Sequence, residues 1–289
     1  IAPVPRTLDA VGVRRLLRGD HGTLSRGRRA HYDPPPDLHG RRCQPAGPRA
    51  HHASGAIALR CLNGVDLLSE RFLAQLDTQL ADLGLCLRGG FHPVSADGVP
   101  DLPDGAPAAT LMLVGNVGPG FWSTVQASPQ GTGTDPIDRW TGHVLAGCAD
   151  AVLFPFGGPP YHPFQRWARR ADPSLAVSPL GILIHPTFGL WHALRGALRF
   201  RKRLDLPHSD RQPSPCESCA GKPCLTSCPV GAFKDSGYDV VSCRSYLATL
   251  SGQPCMIQGC QARLACPVGS TYRYKGAQAQ HHMRAFARG

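Results

Sequence analysis

No run of apolar residues in this 289-residue chain approaches the roughly 20 that a membrane-spanning helix needs. The first residues also lack the continuous apolar core of a signal peptide, because Arg6, Arg14, Arg15 and Arg18 are scattered through them. There is no P-loop, no Rossmann glycine fingerprint and no nucleophile elbow, and Gly115-Asn116-Val117-Gly118-Pro119-Gly120 is too irregular to cradle a phosphate. Spanning, exported and nucleotide-binding classes are thereby set aside, no membrane partner is expected, and a reducing cytoplasm is the expected compartment. Lys and Glu are missing from residues 1–60, which are rich in Arg, Pro, Gly and His and show neither a helical nor a strand period. Disorder is the expected state of that segment, or else translation of GC-rich DNA out of frame, and Cys43 within it is given no role.

What is present begins with charge. The net charge of +11 is unevenly spread: residues 1–60 hold 11 Arg against 4 Asp, residues 61–200 hold 8 Arg against 11 acids, and residues 201–289 hold 12 bases against 5 acids. The middle is mildly acidic and the C-terminal part basic. A solvated basic face accounts for that part most simply; docking of an acidic electron donor and binding of RNA account for it equally well.

Hydrophobic periodicity marks the folded region. From Asp66, the residues Leu67, Leu68, Phe72, Leu73, Leu76, Leu80 and Leu83 recur at three- and four-residue steps and predict an amphipathic helix. Residues 109–114 predict a buried strand, and 151–156 and 180–184 further strands, while 191–200 fits strand and helix alike. Asp135-Pro136-Ile137-Asp138 predicts a helix start with Asp135 as N-cap and Trp140, Val144, Leu145 and Cys148 on its apolar side. Alternating elements define an α/β or α+β domain ending near Pro207, and Pro213-Ser214-Pro215 leads into the cysteines.

Cys216, Cys219, Cys224 and Cys228-Pro229 spell C-x2-C-x4-C-x3-C-P, close to the bacterial ferredoxin run in which three thiolates hold one cluster and the fourth reaches the other. Cys243, Cys255, Cys260 and Cys266-Pro267 follow, and Cys-Pro-Val-Gly recurs at 228–231 and 266–269. Eight thiolates suffice for two [4Fe-4S] clusters. The crossover rule assigns Cys216, Cys219, Cys224 and Cys266 to one and Cys228, Cys243, Cys255 and Cys260 to the other. Paired zinc sites and disulfides are the competing readings; zinc does not call for the repeated Cys-Pro ending, and the compartment disfavours disulfides. Cys61, Cys86 and Cys148 have no ligand spacing.

The first half carries His185-Pro186-Thr187-Phe188-Gly189-Leu190-Trp191-His192-Ala193-Leu194-Arg195-Gly196. This run resembles the cobalamin-processing chaperones of the CblC (MMACHC) type, as does Asp135-Pro136-Ile137-Asp138. The resemblance implies a nitroreductase-like mixed sheet with helices over residues 61–207, a bound cobalamin with His185, Phe188 and Trp191 against it, and removal of the cobalt's upper ligand. Thr187 stands where that family has an arginine that helps hold glutathione, so the clusters become the expected electron source. Cys243-Arg244-Ser245-Tyr246-Leu247-Ala248-Thr249 resembles the segment after the first Cys-Pro run of epoxyqueuosine reductases, which also pair a corrinoid-binding domain with two [4Fe-4S] clusters.

The expected protein is thus α+β: a corrinoid-binding domain at 61–207, a small ferredoxin-like dicluster domain at 208–275 and a basic tail at 276–289. Its expected activity is that of an oxidoreductase acting on a bound corrinoid, supplied by a flavodoxin, ferredoxin or flavin reductase. A dicluster carrier without catalysis and an epoxyqueuosine-reductase-like enzyme on RNA are the alternatives. Those reductases continue into a tRNA-gripping helical region and this sequence stops at Gly289, so nucleic acid is the less expected partner.

Overall fold

The computed structural model describes residues 68–288. The expectations for residues 1–60, Cys43 and Cys61 lie outside the described residues. The elements of the first half are α1 (Leu68–Asp82), β1 (Leu85–Phe91), β2 (Thr110–Val117), α2 (Gly120–Ala127), α3 (Pro136–Leu145), β3 (Ala151–Leu153), α4 (Phe164–Ala171), β4 (Ala176–Val177), β5 (Leu183–Ile184) and β6 (His192–Phe200). The cysteine-bearing half follows with α5 (Pro223–Thr226), β7 (Phe233–Lys234), β8 (Gly237–Tyr238), α6 (Val240–Leu247), α7 (Gln253–Gln258), α8 (Gln261–Leu264) and α9 (Gly276–Arg288).

A four-stranded sheet in the order β1-β2-β6-β3 organises the first half. Every pairing in it is antiparallel, so the class is α+β as expected, but the sheet is not the mixed one implied by the family resemblance. The reason is topological: β6 lies between β2 and β3 and runs against both. Strand β2 is buried along its whole length. Its alternate residues serve two cores, Met112 and Val114 packing with α1, α2 and α3, and Leu111 and Leu113 with α4. A strand covered on both faces reads as a continuous apolar run, which is why it is visible in the sequence.

Helix α1 buries Leu73, Leu76 and Leu80 as its period requires. Helix α3 starts on Pro136 and buries Ile137, Trp140, Thr141 and Leu145, but Asp135 does not cap it with its side chain. Asp135 instead takes a left-handed backbone conformation, φ +46°. Cys148 lies beyond the helix end, although it is buried. The strands expected at 151–156 and 180–184 are shorter, Ala151–Leu153 and Leu183–Ile184.

Residues 191–200, which pattern alone left undecided, form β6. The period fails there because the strand is irregular: Val114 faces Gly196 and Gly115 faces Leu194, so Arg195 is an extra residue with no partner across the ladder. A side chain at Gly115 would meet the Ala193 carbonyl at 2.4 Å, so glycine is required opposite the bulge. A similar slip between Leu87 and Gly90 of β1 accommodates Arg88 and Gly89.

The segment expected as a basic tail is the helix α9, with Gln278 and Ala279 buried. It packs against α7 and reaches the first half, where the rings of Trp122 and His281 lie 5.1 Å apart.

Candidate functional site

The eight cysteines of the two Cys-Pro runs come from short helices and the turns between them. Cys224 lies on α5, Cys243 on α6 and Cys255 on α7, while Cys260 and Cys266 flank α8. All eight are free thiols. Cys224, Cys255 and Cys266 are buried and the other five half-buried.

Their electrostatic neighbours link the two runs. Burial pushes the Cys216 thiol pKa up, and the surrounding Cys266, Cys224 and Cys219 add to the rise. Burial likewise raises Cys224, with Cys266 and Cys219 contributing. Cys255, also raised by burial, is influenced by Cys243 and Cys228. Cys260 is raised by burial and then by Cys255 and Cys243. The nearest thiols acting on Cys216 and Cys224 thus include Cys266 of the second run, and those acting on Cys255 include Cys228 of the first, while one apolar cluster takes in Cys216, Cys224, Cys228, Cys260 and Cys266. Thiols raised by burial and by one another, as Cys216, Cys224, Cys255 and Cys260 are, ionise reluctantly on their own, and a cationic metal core would remove that conflict. Among the described residues no three His, Cys, Asp or Glu groups are gathered to hold a single metal ion.

The first set rests on the first half of the chain: Cys224 and Cys266 share an apolar cluster with Leu180, Ile184 and Leu190. At the second set, Tyr238 has its pKa raised, by burial first and then by a hydrogen bond with Cys243 and the proximity of Cys260 and Cys228. The Ala232 amide donates to the Cys228 sulfur at 3.3 Å, the kind of contact that tunes a bound cluster's potential.

Beside the first set opens a cleft of about 1030 Å³, between α4 and the 213–215 joint. Arg166, Arg169, Arg170 and Arg211 line it, with Glu217 as its acid. Ser214, also in the lining, accepts the Cys216 amide at 3.3 Å.

The three residues expected against a corrinoid are enclosed by protein. His185, Phe188 and Trp191 are 6%, 3% and 3% exposed. The His185 Nδ1 accepts the Thr187 amide at 3.0 Å and the Phe188 amide at 3.3 Å, so this histidine ties down its own turn. That leaves its Nε2 carrying the proton, 3.8 Å from Asp172. The Phe188 ring stacks on His185 at 4.2 Å and is met edge-on by Tyr272 at 5.2 Å. Trp191 lies under Tyr274, at 5.6 Å, and under the Arg263 guanidinium, at 4.5 Å. A ring-sized ligand reaches none of the three without displacing the segment after Cys266. Trp191→Ala should therefore cost about 3 to 5 kcal/mol and lower the melting temperature strongly. A small melting shift would mean that Trp191 lines an open pocket instead.

Sequence reasoning missed a second group of residues around Trp191. Arg195, Arg263, Tyr274, Gln278 and His282 converge here, and burial pulls His282 down to about 3, assisted by the charges of Arg195 and Arg263. The available signal was His281-His282 in a segment that carries buried positions.

No protein-family model matches the chain, and no characterised protein sequence matches it. Solved structures do. A selenomethionine-labelled epoxyqueuosine reductase aligns over 73% of this chain and 69% of its own at 12% identity and a TM-score of 0.40. An epoxyqueuosine reductase with a tRNA-Tyr epoxyqueuosine-modified stem loop aligns over 71% and 67% at 16% identity and a TM-score of 0.41. The Bacillus subtilis enzyme, with its catalytic loop swung out of the active site, gives 71%, 67%, 16% and 0.39.

Proposed function

We propose that the chain is an iron–sulfur oxidoreductase that holds two [4Fe-4S] clusters. One is held by Cys216, Cys219, Cys224 and Cys266, and the other by Cys228, Cys243, Cys255 and Cys260. The observation that carries this reading is two four-cysteine runs with the same Cys-Pro ending, all eight of them free thiols, with Cys266 of the second run acting on Cys216 and Cys224 of the first and Cys228 of the first acting on Cys255 of the second. This is the crossover arrangement of two-cluster ferredoxins. The clusters supply one-electron transfer. The protein's part is to bury the sulfurs, to donate amide hydrogen bonds as Ala232 does, and to steer a donor.

Electrons enter through the arginine-lined cleft. Four guanidiniums beside Cys216 suit the acidic face of a flavodoxin or ferredoxin, and such steering raises association rates most at low salt.

The acceptor is bound by the first half, against which the first thiol set packs. An epoxyqueuosine-reductase-like reaction on RNA is favoured by two features, the segment Cys243 to Thr249 and the basic lining of the cleft, which also suits a phosphate backbone. Simple corrinoid processing rests on the 181–196 resemblance, and the enclosure of Trp191 does not favour it. A corrinoid cofactor is common to both family resemblances.

Metal analysis of the anaerobically purified protein, with EPR after dithionite reduction, tests the reading. About eight irons per chain and signals of reduced clusters are expected. Two zinc ions and no signal would overturn it. Mixing the reduced protein with cyanocobalamin and, separately, with an RNA stem loop then separates the acceptors by reoxidation and by binding.

A further inference from the structure

Beneath α9 lies a concentration of buried polar atoms that the cysteine chemistry does not use. Trp191 Nε1, Tyr274 Oη, both amide atoms of Gln278, His282 Nε2, Arg195 Nη2 and Arg263 Nε are all shielded from solvent and without a hydrogen-bond partner. Gln278 is 0% exposed, Trp191 3% and Tyr274 5%. Trp191, Arg195, Arg263, Tyr274 and His282 are linked by ring contacts and charge. The Arg263 guanidinium stands 4.5 Å from the Trp191 ring and 4.7 Å from that of Tyr274. Tyr274 is 5.2 Å from His282, and His282 feels both arginines. Gln278 is one helical turn before His282 on α9, and so on the same face.

Each arginine lies over aromatic rings, Arg195 over Phe121 at 4.9 Å and Arg263 over Trp191 and Tyr274, and makes a hydrogen bond with one of its nitrogens. Arg195 Nε donates to Asn116 Oδ1 at 2.8 Å, and Arg263 Nη2 donates to the Leu190 carbonyl. Among the described residues neither makes an ion pair, and Asp138 acts on Arg195 only through its field. Arg195 is also the bulged residue of β6, and a bulge is a means of aiming one side chain out of the strand's regular alternation. A guanidinium nitrogen shut off from water with no carboxylate in contact is unfavourable, and a buried amide with neither hydrogen bond made is unfavourable as well. Several such groups converging on one place mark a site for something the chain itself does not provide. The groups are mostly donors, and two are cationic. Water would satisfy the donors but would leave the two cations offset only by the field of Asp138 on Arg195.

We propose that these residues form a binding site for one oxyanion, a phosphate or carboxylate group, held between Arg195 and Arg263 with Trp191, Tyr274 and Gln278 as neutral donors. The site stands on burial and charge alone and is independent of whether the cysteines hold clusters.

The test is calorimetric titration and thermal melting of the full chain, purified anaerobically in a phosphate-free chloride buffer, with inorganic phosphate in one arm and acetate in the other. Saturable binding of at least one anion is expected, with a rise in melting temperature. The arm that binds tells phosphate from carboxylate. Arg195→Met should weaken that binding by about tenfold or more. Gln278→Leu keeps the shape and removes both orphan amide atoms, so it should weaken binding about threefold or more while melting no lower than the wild type without anion. No saturable response to either anion would mean that waters fill the site, and would overturn the proposal. So would equal binding by the wild type and Gln278→Leu, which would place the anion elsewhere.

Discussion

Cys266→Ala should strip the chain of about half its iron, falling from about eight to about four atoms, and the lost cluster should be the one served by Cys216, Cys219 and Cys224. Those residues lie far away in sequence, but Cys266 is the largest thiol influence on both Cys216 and Cys224. Cys228→Ala is the mirror experiment. Cys228 sits in the first run, yet its neighbours are Cys255 of the second run and Tyr238. It should remove the cluster of Cys243, Cys255 and Cys260 and leave the other. Iron analysis with EPR of each reduced variant decides the matter. If Cys266→Ala spared the cluster of the first run, each run would bind its own cube and the crossover would be wrong.

The two Cys-Pro runs were legible because their motif is a matter of local spacing, and C-x2-C-x4-C-x3-C-P survives any detail of the surrounding fold. The wide gap from Cys243 to Cys255 has a plain cause: the end of α6, a 3-10 turn at Leu250–Gly252 and the first residues of α7 fill it. Strand β2 and helix α1 were legible because their periods are unbroken. Strand β6 was not, because Arg195 interrupts the two-residue alternation and leaves Arg195 and Arg199 at a helical spacing. Helix α9 was not legible either. Its buried positions are Gln278 and Ala279, and without a leucine or isoleucine stripe its sequence reads as a solvated basic tail.

The site around Trp191 illustrates a different failure. His185 was expected at a pocket wall, and a histidine beside Pro186 and Phe188 fits that role by type. The same residue type also closes a turn through Nδ1, which is what it does here. Residue identity cannot separate the two uses, since both need an aromatic, polar side chain at a strand end. The arginines that make the neighbouring cluster unusual were invisible for the opposite reason. Arg195 looks like an ordinary surface charge until the bulge of β6 turns it out of the regular alternation, and Arg263 sits among the cysteines, whose spacing says nothing of it.

The repeated Cys-Pro-Val-Gly gives the last expectation, because its two glycines have the same backbone and different surroundings. Gly231 and Gly269 both lie in the left-handed region, at φ +56° and +66°. A side chain at Gly231 would meet nothing within 4 Å, so Gly231→Ala should cost only the backbone penalty, about 1 to 2 kcal/mol. At Gly269 a Cβ would sit 2.3 Å from the Phe188 carbonyl carbon, 2.4 Å from its oxygen and 2.7 Å from the Gly189 nitrogen. These are backbone atoms of the turn held by His185, and they have no rotamer by which to yield. Gly189 is pressed from its own side, its Cβ falling 2.0 Å from the Val268 carbonyl oxygen. The two glycines thus mark where the His185 turn and the second Cys-Pro loop touch main chain to main chain. Gly269→Ala should add an overpacking cost of about 1 to 3 kcal/mol to the same backbone penalty. Because Cys266 is on the same turn, it should also lower the iron bound by the first set, whereas Gly231→Ala leaves that iron in place. Melting curves and iron analysis on the two variants, side by side, test this. Equal melting losses with equal iron would show that the contact carries no weight in joining the cysteines to the first half.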